Sequence, residues 1–166
     1  MTDVAGGVSF DLDGDGVLER VAWTSANSDE AFLWRDLNGN GIVDSGRELF
    51  GEAMAANGFE ALRVGDLVSD GDVVSGGDGN GVLNAGDRLW SELRLWIDRD
   101  HNGICTPDEV ESLASAGIVE LDLSYTASGR KDRAGNEFRF VSKMTRLSPG
   151  GKTRQSKFYD VYLGVE

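Results

Sequence analysis

The sequence is poor in the residues that cross-link small proteins or bind zinc. It contains one cysteine and one histidine among 166 residues, so it can form neither a disulfide framework nor a Cys/His zinc set. Its two prolines, Pro107 and Pro149, follow Thr106 and Ser148, so the sequence contains no Asp–Pro bond. No apolar run reaches the roughly 18 residues of a transmembrane helix, and no basic and then apolar leader follows Met1.

Positive charge is also scarce. The 16 Lys and Arg residues face 29 Asp and Glu residues, which gives a formal net charge of −13 at pH 7. Such an excess of negative charge argues against nucleic acids and anionic membranes as partners. Much of the acid lies in short runs rich in Asp, Asn and Gly, and the 23 glycines suit tight turns with positive φ. Metal cations are therefore expected to neutralise these runs.

The segment DRDHNGICTPDE, residues 98–109, matches the calcium-loop pattern D-x-[DN]-x-[DN]-G-x5-E at every specified position. Calcium takes about 6–8 oxygen ligands at roughly 2.3–2.6 Å, which short polar side chains on alternate residues can supply. Gly103 stands where the chain must turn sharply, and a carboxylate at position 12 can close the shell with both oxygens. The predicted ligands are Asp98, Asp100, Asn102, the carbonyl of Ile104, Thr106 and Glu109.

Three upstream segments repeat this motif less completely. In the first, Ala22 stands where the closing acid is expected, and in the second the acid, Glu48, comes one residue late. In the third, Gly76 stands at position 1, so either Asp70 or Asp72 folds back to replace it or the site is weak. The predicted ligands are, in the first loop, Asp11, Asp13, Asp15, Val17 and Glu19; in the second, Asp36, Asn38, Asn40, Ile42, Asp44 and Glu48; and in the third, Asp78, Asn80, Val82, Asn84 and Asp87.

Position 8 is apolar in each of the four loops. In paired calcium loops this residue lies in a short strand, so its side chain is predicted to be buried. Cys105 is then a small hydrophobic residue of the fourth loop, because no neighbouring base or metal would activate its thiol. The four residues are Leu18, Val43, Leu83 and Cys105.

The patterns predict an α+β fold in which EF-hand-like calcium loops carry short helices and strands and precede a C-terminal antiparallel β-meander. Residues 1–166 are expected to form a single calcium-binding domain, with the loops in 1–116 and the meander in 117–166. Helical periodicity predicts one helix from the third loop into the fourth, over residues 87–97, and a second after the fourth loop, over 107–117. Period-two alternation predicts the strands of the meander at residues 118–126, 136–144 and 156–164.

Several motifs, in this order, resemble the self-processing module of bacterial repeat-in-toxin proteins of the FrpC type. They are VSFDLDGDGVLERVAW, FLWRDLNGNGIVDSGRELFG, NGFEALR and LRLWIDRDHNGICTPDE, and the resemblance covers about residues 8–125. It implies that several Ca²⁺ ions, up to about four for the four loops, fold an acidic chain in the extracellular medium. It also implies that the folded module promotes cleavage of an upstream Asp–Pro bond and joins the new aspartyl end to a lysine amine.

The resemblance leaves three functions open, and no catalytic residue can be transferred because the scissile aspartate has no counterpart here. The first is a calcium-binding module that folds on binding metal. The second is the autoprocessing module without its Asp–Pro segment, so whether the chain is an enzyme is undecided. The third is a calcium-stabilised adhesion or partner-binding domain. Calcium and the flanking segments of a larger secreted protein are the expected partners, without nucleic acid or a membrane span.

Overall fold

The computed structural model describes residues 1–67 and 76–166, and in these ranges the chain is mostly β structure. The strands are β1 (Val8–Phe10), β2 (Glu19–Val21), β3 (Phe32–Arg35), β4 (Val82–Asn84), β5 (Leu93–Trp96), β6 (Val110–Ser112), β7 (Ile118–Asp122), β8 (Thr126–Lys131), β9 (Glu137–Leu147) and β10 (Thr153–Tyr162). Within the same ranges the helical elements are one short α-helix, α1 (Gly58–Arg63), and the 3-10 turns Gly46–Glu48, Val64–Asp66, Arg88–Glu92 and Pro107–Glu109.

The predicted α+β class with EF-hand-like helices is wrong, because antiparallel sheets replace the helices that were expected around the fourth loop. The helix predicted before that loop is a 3-10 turn followed by β5, and the helix predicted after it is a single 3-10 turn followed by β6. Strand β5 lies between β3 and β6 and bonds to both. These strand partners lie far away in sequence or beyond the loop, so the local helical periodicity did not reveal them.

Two further sheets hold the remaining loops. Strands β1 and β2 form an antiparallel pair on either side of the first loop. The larger sheet has the order β10–β9–β7–β4, and β8 pairs with β9 at residues that β7 leaves free. Since β4 belongs to the third loop and pairs with β7, the loop region and the C-terminal strands share one sheet. No helix among the described residues is long and apolar enough to cross a membrane.

Two hydrophobic clusters lie beneath the loops. The first is aromatic and contains Phe10, Trp23, Trp34 and Trp96, with the rings of Trp23 and Trp96 centred 5.5 Å apart. The second is mostly leucine and lies between α1 and the larger sheet. Of the four residues at position 8, Val43, Leu83 and Cys105 are buried as predicted. The prediction is wrong for Leu18, which is 66% exposed because the first loop runs directly into β2 without a buried strand of its own.

Candidate metal-binding loops

In the first, second and fourth loops, the carboxylate at position 1 accepts hydrogen bonds from the backbone that surrounds it. In the fourth loop Asp98 accepts hydrogen bonds from the N–H of Asn102 at 3.2 Å and the N–H of Gly103 at 2.8 Å. In the second loop Asp36 accepts from Gly39 at 2.6 Å and Gly41 at 2.9 Å. These bonds wrap the loop around the carboxylate, so that following side chains face the same centre. Asp11 plays the same part in the first loop.

The turn at position 6 requires glycine. Gly103 has a φ of +72°, in the left-handed region, and a Cβ there would lie 2.8 Å from the Cγ2 atom of Val8. A larger residue would therefore strain the backbone and clash with β1. Gly16, Gly41 and Gly81 at the same position also have positive φ.

The closing carboxylate occupies the same place in the second and fourth loops despite their different lengths. Glu109 accepts hydrogen bonds from the N–H of Arg99 at 2.9 Å and of Thr106 at 3.3 Å, and Glu48 accepts from Leu37 at 2.9 Å and Asp44 at 3.0 Å. In both loops these donors stand at positions 2 and 9. The structure thus places Glu48, one residue late in sequence, where the motif requires its acid.

The first loop closes with a different residue. Glu19, which was predicted as its position-9 ligand, begins β2 and accepts a hydrogen bond from the N–H of Leu12 at 3.0 Å. This is the position-2 contact that Glu109 makes in the fourth loop, so Glu19 replaces the acid missing at Ala22. The structure brings together one ligand atom from each of Asp11, Asp13, Asp15 and Glu19, all within 4.8 Å of one another.

The second loop is drawn together by amide groups. The side-chain NH₂ groups of Asn38 and Asn40 donate to Asp44 at 2.6 and 2.7 Å. The amide oxygen of Asn40 accepts from the N–H of Ile42 at 2.9 Å. Among the described residues, the ligand atoms of Asp36, Asp44 and Glu48 do not form a cluster like those of the other three loops. The corresponding N–H-to-side-chain contact between positions 7 and 5 recurs at Val17, Val82 and Ile104.

The third loop contains a residue that the sequence reasoning missed. Gly76, which stands at position 1 by counting, has no side chain to offer, and Asp70 and Asp72 lie outside the described residues. The structure places Asp66 beside the loop instead, with ligand atoms of Asp66, Asp78 and Asp87 within 4.8 Å of one another. The other predicted residues, Asn80 and Asn84, turn their side-chain oxygens to backbone N–H groups of Val82 and Gly86.

The fourth loop places two of its three clustered carboxylates away from water. Asp98 is 2% exposed and Glu109 is 4% exposed, and their ligand atoms lie within 4.8 Å of that of Asp100. Desolvation raises the pKa of Asp100, and the neighbouring carboxylates of Asp98 and Glu109 raise it further. Among residues 1–67 and 76–166, no Lys or Arg forms an ion pair with these three acids.

Hydrogen bonding compensates burial differently in the second loop. Desolvation acts to raise the pKa of Asp36, but the backbone N–H groups of residues 38–41, above all those of Gly39 and Gly41, together outweigh it and hold the pKa below its ordinary value. Asp36 therefore stays ionised under conditions in which an ordinary carboxylate begins to bind a proton. The buried thiol of Cys105 behaves in the opposite way, because desolvation raises its pKa and nearby acids add to the effect. It stays a neutral, structural side chain.

The donor set of the loops fits a hard cation. Every converging side chain offers oxygen, whereas His101 directs its ring nitrogens towards the carbonyl oxygens of Thr24 and Gly6, at 2.7 and 2.8 Å. Carboxylate, amide and carbonyl oxygens suit Ca²⁺ and related ions, and the absence of sulfur and nitrogen from the converging groups disfavours zinc and copper. Asp98, Asp100 and Glu109 would hold such an ion in the fourth loop.

The fold and these loops define a small antiparallel β protein built around acidic turns. Residues 1–163 match the family model described as the SPM domain, and the chain therefore belongs to the family of self-processing modules. The iron-regulated protein FrpA of Neisseria meningitidis serogroup C is 36% identical over 137 residues, which cover 78% of this chain and 11% of FrpA. The chain thus spans about a tenth of that curated relative. The family predicted from the sequence motifs is confirmed.

Proposed function

We propose that this chain is a calcium-dependent folding module whose acidic loops bind Ca²⁺. The observation that carries the proposal is the fourth loop, where Asp98 and Glu109 are almost completely buried beside Asp100 without a Lys or Arg ion pair among the described residues. Burying uncompensated carboxylates costs several kcal/mol, in order of magnitude. A bound divalent cation removes that cost.

The mechanism is thermodynamic linkage between metal binding and folding. The loop backbone orients Asp98 and Glu109 through fixed hydrogen bonds, and these exist only when the chain is folded. Calcium therefore binds the native loops and has no organised site in the unfolded chain. One site stabilises the native state by about 2.7 kcal/mol when the ion is at 100 times its dissociation constant. Several such sites would switch a marginal domain between unfolded and folded.

Thermal unfolding followed by circular dichroism tests this function. We expect the midpoint to rise progressively with calcium concentration, and chelator to lower it reversibly. Calorimetric titration of the metal-free protein should show calcium binding, and circular dichroism along the same titration should show a gain of β structure. A midpoint that is the same in millimolar calcium and in excess chelator would reject the proposal.

Extracellular calcium is abundant, so we also propose that the module works outside the cell as one domain of a longer secreted protein.

A second function is favoured by family membership over residues 1–163. We propose that the calcium-loaded module promotes cleavage of an Asp–Pro bond supplied by a preceding segment. The test fuses a short segment containing Asp–Pro to Met1 and follows the chain by mass spectrometry with and without calcium. Cleavage at that bond only when calcium is present supports processing, and a matched segment with Asn–Pro should stay intact. An uncleaved Asp–Pro fusion, in a chain that calcium demonstrably folds, would contradict it.

A further inference from the structure

Asp66 holds the third loop in the way that Asp98 holds the fourth. Its carboxylate accepts hydrogen bonds from the N–H of Asn80 at 3.2 Å and the N–H of Gly81 at 2.9 Å. Asn80 and Gly81 stand at positions 5 and 6 of their loop, the same positions whose N–H groups bond to Asp98. Asp66 is 8% exposed, so its charge is also buried. In contacts and burial Asp66 is the position-1 residue of the third loop.

Asp87 supplies another carboxylate of the same cluster. Asp87 is 4% exposed, and its Oδ2 accepts a hydrogen bond from the N–H of Asn84 at 2.8 Å. Its Oδ1 is buried and has no hydrogen-bond partner among the residues that the structure describes. A buried carboxylate oxygen without a hydrogen-bond partner destabilises the folded state. Because ligand atoms of Asp66, Asp78 and Asp87 lie within 4.8 Å of one another, a cation among them would satisfy this oxygen.

The backbone brings Asp66 to the loop although Asp78 comes 12 positions later in the sequence. The N–H of Gly79 donates to the carbonyl of Asp66 at 2.7 Å, and the N–H of Gly77 donates to the carbonyl of Leu67 at 3.1 Å. A Cβ on Gly77 would lie 2.3 Å from the carbonyl carbon of Asp66, so only glycine permits this approach. Asp66 and Leu67 therefore lie directly against the backbone of Gly77 and Gly79.

We propose that Asp66 is the first ligand of a Ca²⁺ ion in the third loop, and that this ion fastens the segment containing α1 to the loop. Asp78 and Asp87 complete the carboxylate set. The inference rests on the proposed calcium function and adds a ligand that lies outside the sequence motif. Asp66 ends the 3-10 turn that follows α1, so calcium at this loop joins two parts of the chain that the motif alone would treat separately. The ion thereby acts as a clamp.

The test counts the ions bound to the folded protein by native mass spectrometry at saturating calcium. We expect Asp66→Asn and Asp87→Asn each to bind one ion fewer than the wild type. The double variant should also lack only one, because both residues hold the same ion. Asp72→Asn, which removes one of the two acids that the sequence suggested for position 1, should keep the full number.

A second measurement covers variants that fold poorly. In sucrose, which favours the compact state, the slope of unfolding free energy against the logarithm of calcium concentration reports the ions taken up on folding. That slope should fall by one ion in Asp66→Asn. An undiminished count in Asp66→Asn, or a loss confined to Asp72→Asn, would overturn this proposal while leaving calcium-dependent folding intact. A wild type that binds no calcium would instead reject the proposed function itself.

Discussion

At the residue scale, a loop carboxylate can accept hydrogen bonds from the backbone, and it can also bind a cation that neutralises its charge. Asp98 and Glu109 each use their oxygens to accept backbone N–H groups, which fixes their orientation before any ion arrives. Hydrogen bonds to a carboxylate favour its charged form but leave its net charge in place. The cluster with Asp100 therefore still lacks positive charge. Preorganisation and charge deficit together make the fourth loop the strongest candidate metal site.

Removing the charge of the closing residue should weaken this site without dismantling its backbone. Glu109→Gln keeps an oxygen that can accept from Arg99, but it loses the second anionic oxygen for calcium. We expect at least a tenfold increase in the calcium concentration at the folding midpoint, which corresponds to about 1.4 kcal/mol. Asp108→Asn is the matched control, because Asp108 is exposed and lies next to Glu109. Equal shifts in the two variants would show that only net charge matters.

Asp160 provides a separate pH dependence, away from the loops. Burial raises the pKa of Asp160, and Glu52 adds to this effect, whereas the Gly58 N–H and Arg139 oppose it. Its Oδ2 is buried without a partner among the described residues. Because the folded-state pKa lies above the unfolded-state value, the neutral acid contributes stability at low pH. That contribution is lost as the pH rises through the folded-state pKa.

Asp160→Asn should therefore gain stability relative to the wild type as the pH is raised from about 3.5 to 7, since each unit of pKa elevation is worth about 1.4 kcal/mol. Chemical denaturation of both proteins at several pH values, with calcium saturating throughout, measures this difference. The loop carboxylates are the same in the two proteins, so their titration cancels from the stability difference. A stability difference that does not change with pH would show that Asp160 has the same pKa in the folded and unfolded states.

At the scale of elements, Trp23 connects the first hairpin to the fourth loop. It follows β2, is fully buried, and donates from its indole Nε1 to Oδ2 of Asp98 at 2.7 Å. The indole thereby orients a predicted metal ligand from an element 75 residues away in sequence. Contacts of this kind, behind the ligands, commonly change metal affinity by about 10–100-fold.

Trp23→Phe should raise the calcium concentration at the folding midpoint by about tenfold or more, because the Phe ring keeps much of the packing but loses the N–H donor. Trp34→Phe is a close control. Trp34 is 1% exposed, and its Nε1 has no hydrogen-bond partner in the described part of the chain. Both variants should lose packing energy, whereas only Trp23→Phe should lose calcium affinity beyond that. Identical calcium midpoints in the two variants would contradict the orienting role.

The sequence predicted contacts correctly where the interacting residues lie close together along the chain, and it missed contacts between residues that are far apart in sequence. The spacing of Asp98 to Glu109 is local, so the motif predicted which residues come together in the fourth loop. The helix expected over residues 87–97 was wrong because β5 gains its hydrogen bonds from β3, about 60 residues earlier. Asp66 was missed for the same reason, since an intervening segment separates it from its loop. An acid immediately before that segment, just after the NGFEALR motif, was the available signal.

At the scale of the whole molecule, the net charge of −13 causes repulsion both across the surface and within single loops, and salt affects the two differently. Long-range repulsion across the surface is screened when the Debye length falls from about 30 Å in 0.01 M salt to about 8 Å in 0.15 M. Repulsion within a loop is screened far less, because ligand atoms of Asp98, Asp100 and Glu109 lie within 4.8 Å of one another and two of the residues are buried. Monovalent salt should therefore relieve only the first kind of repulsion.

In chelator, raising NaCl from about 0.01 to 0.15 M should recover only a minor part of the stability that calcium restores. Magnesium should recover less than calcium, because it prefers octahedral geometry at about 2.0–2.1 Å and gives up its waters reluctantly. Unfolding midpoints in NaCl, MgCl₂ and CaCl₂ at matched ionic strength make the comparison. If NaCl alone restored the calcium midpoint, the acidic turns would be sources of diffuse repulsion rather than binding sites. An unfolding midpoint in CaCl₂ well above those in NaCl and MgCl₂ would show that calcium bound in the loops supplies the stabilisation.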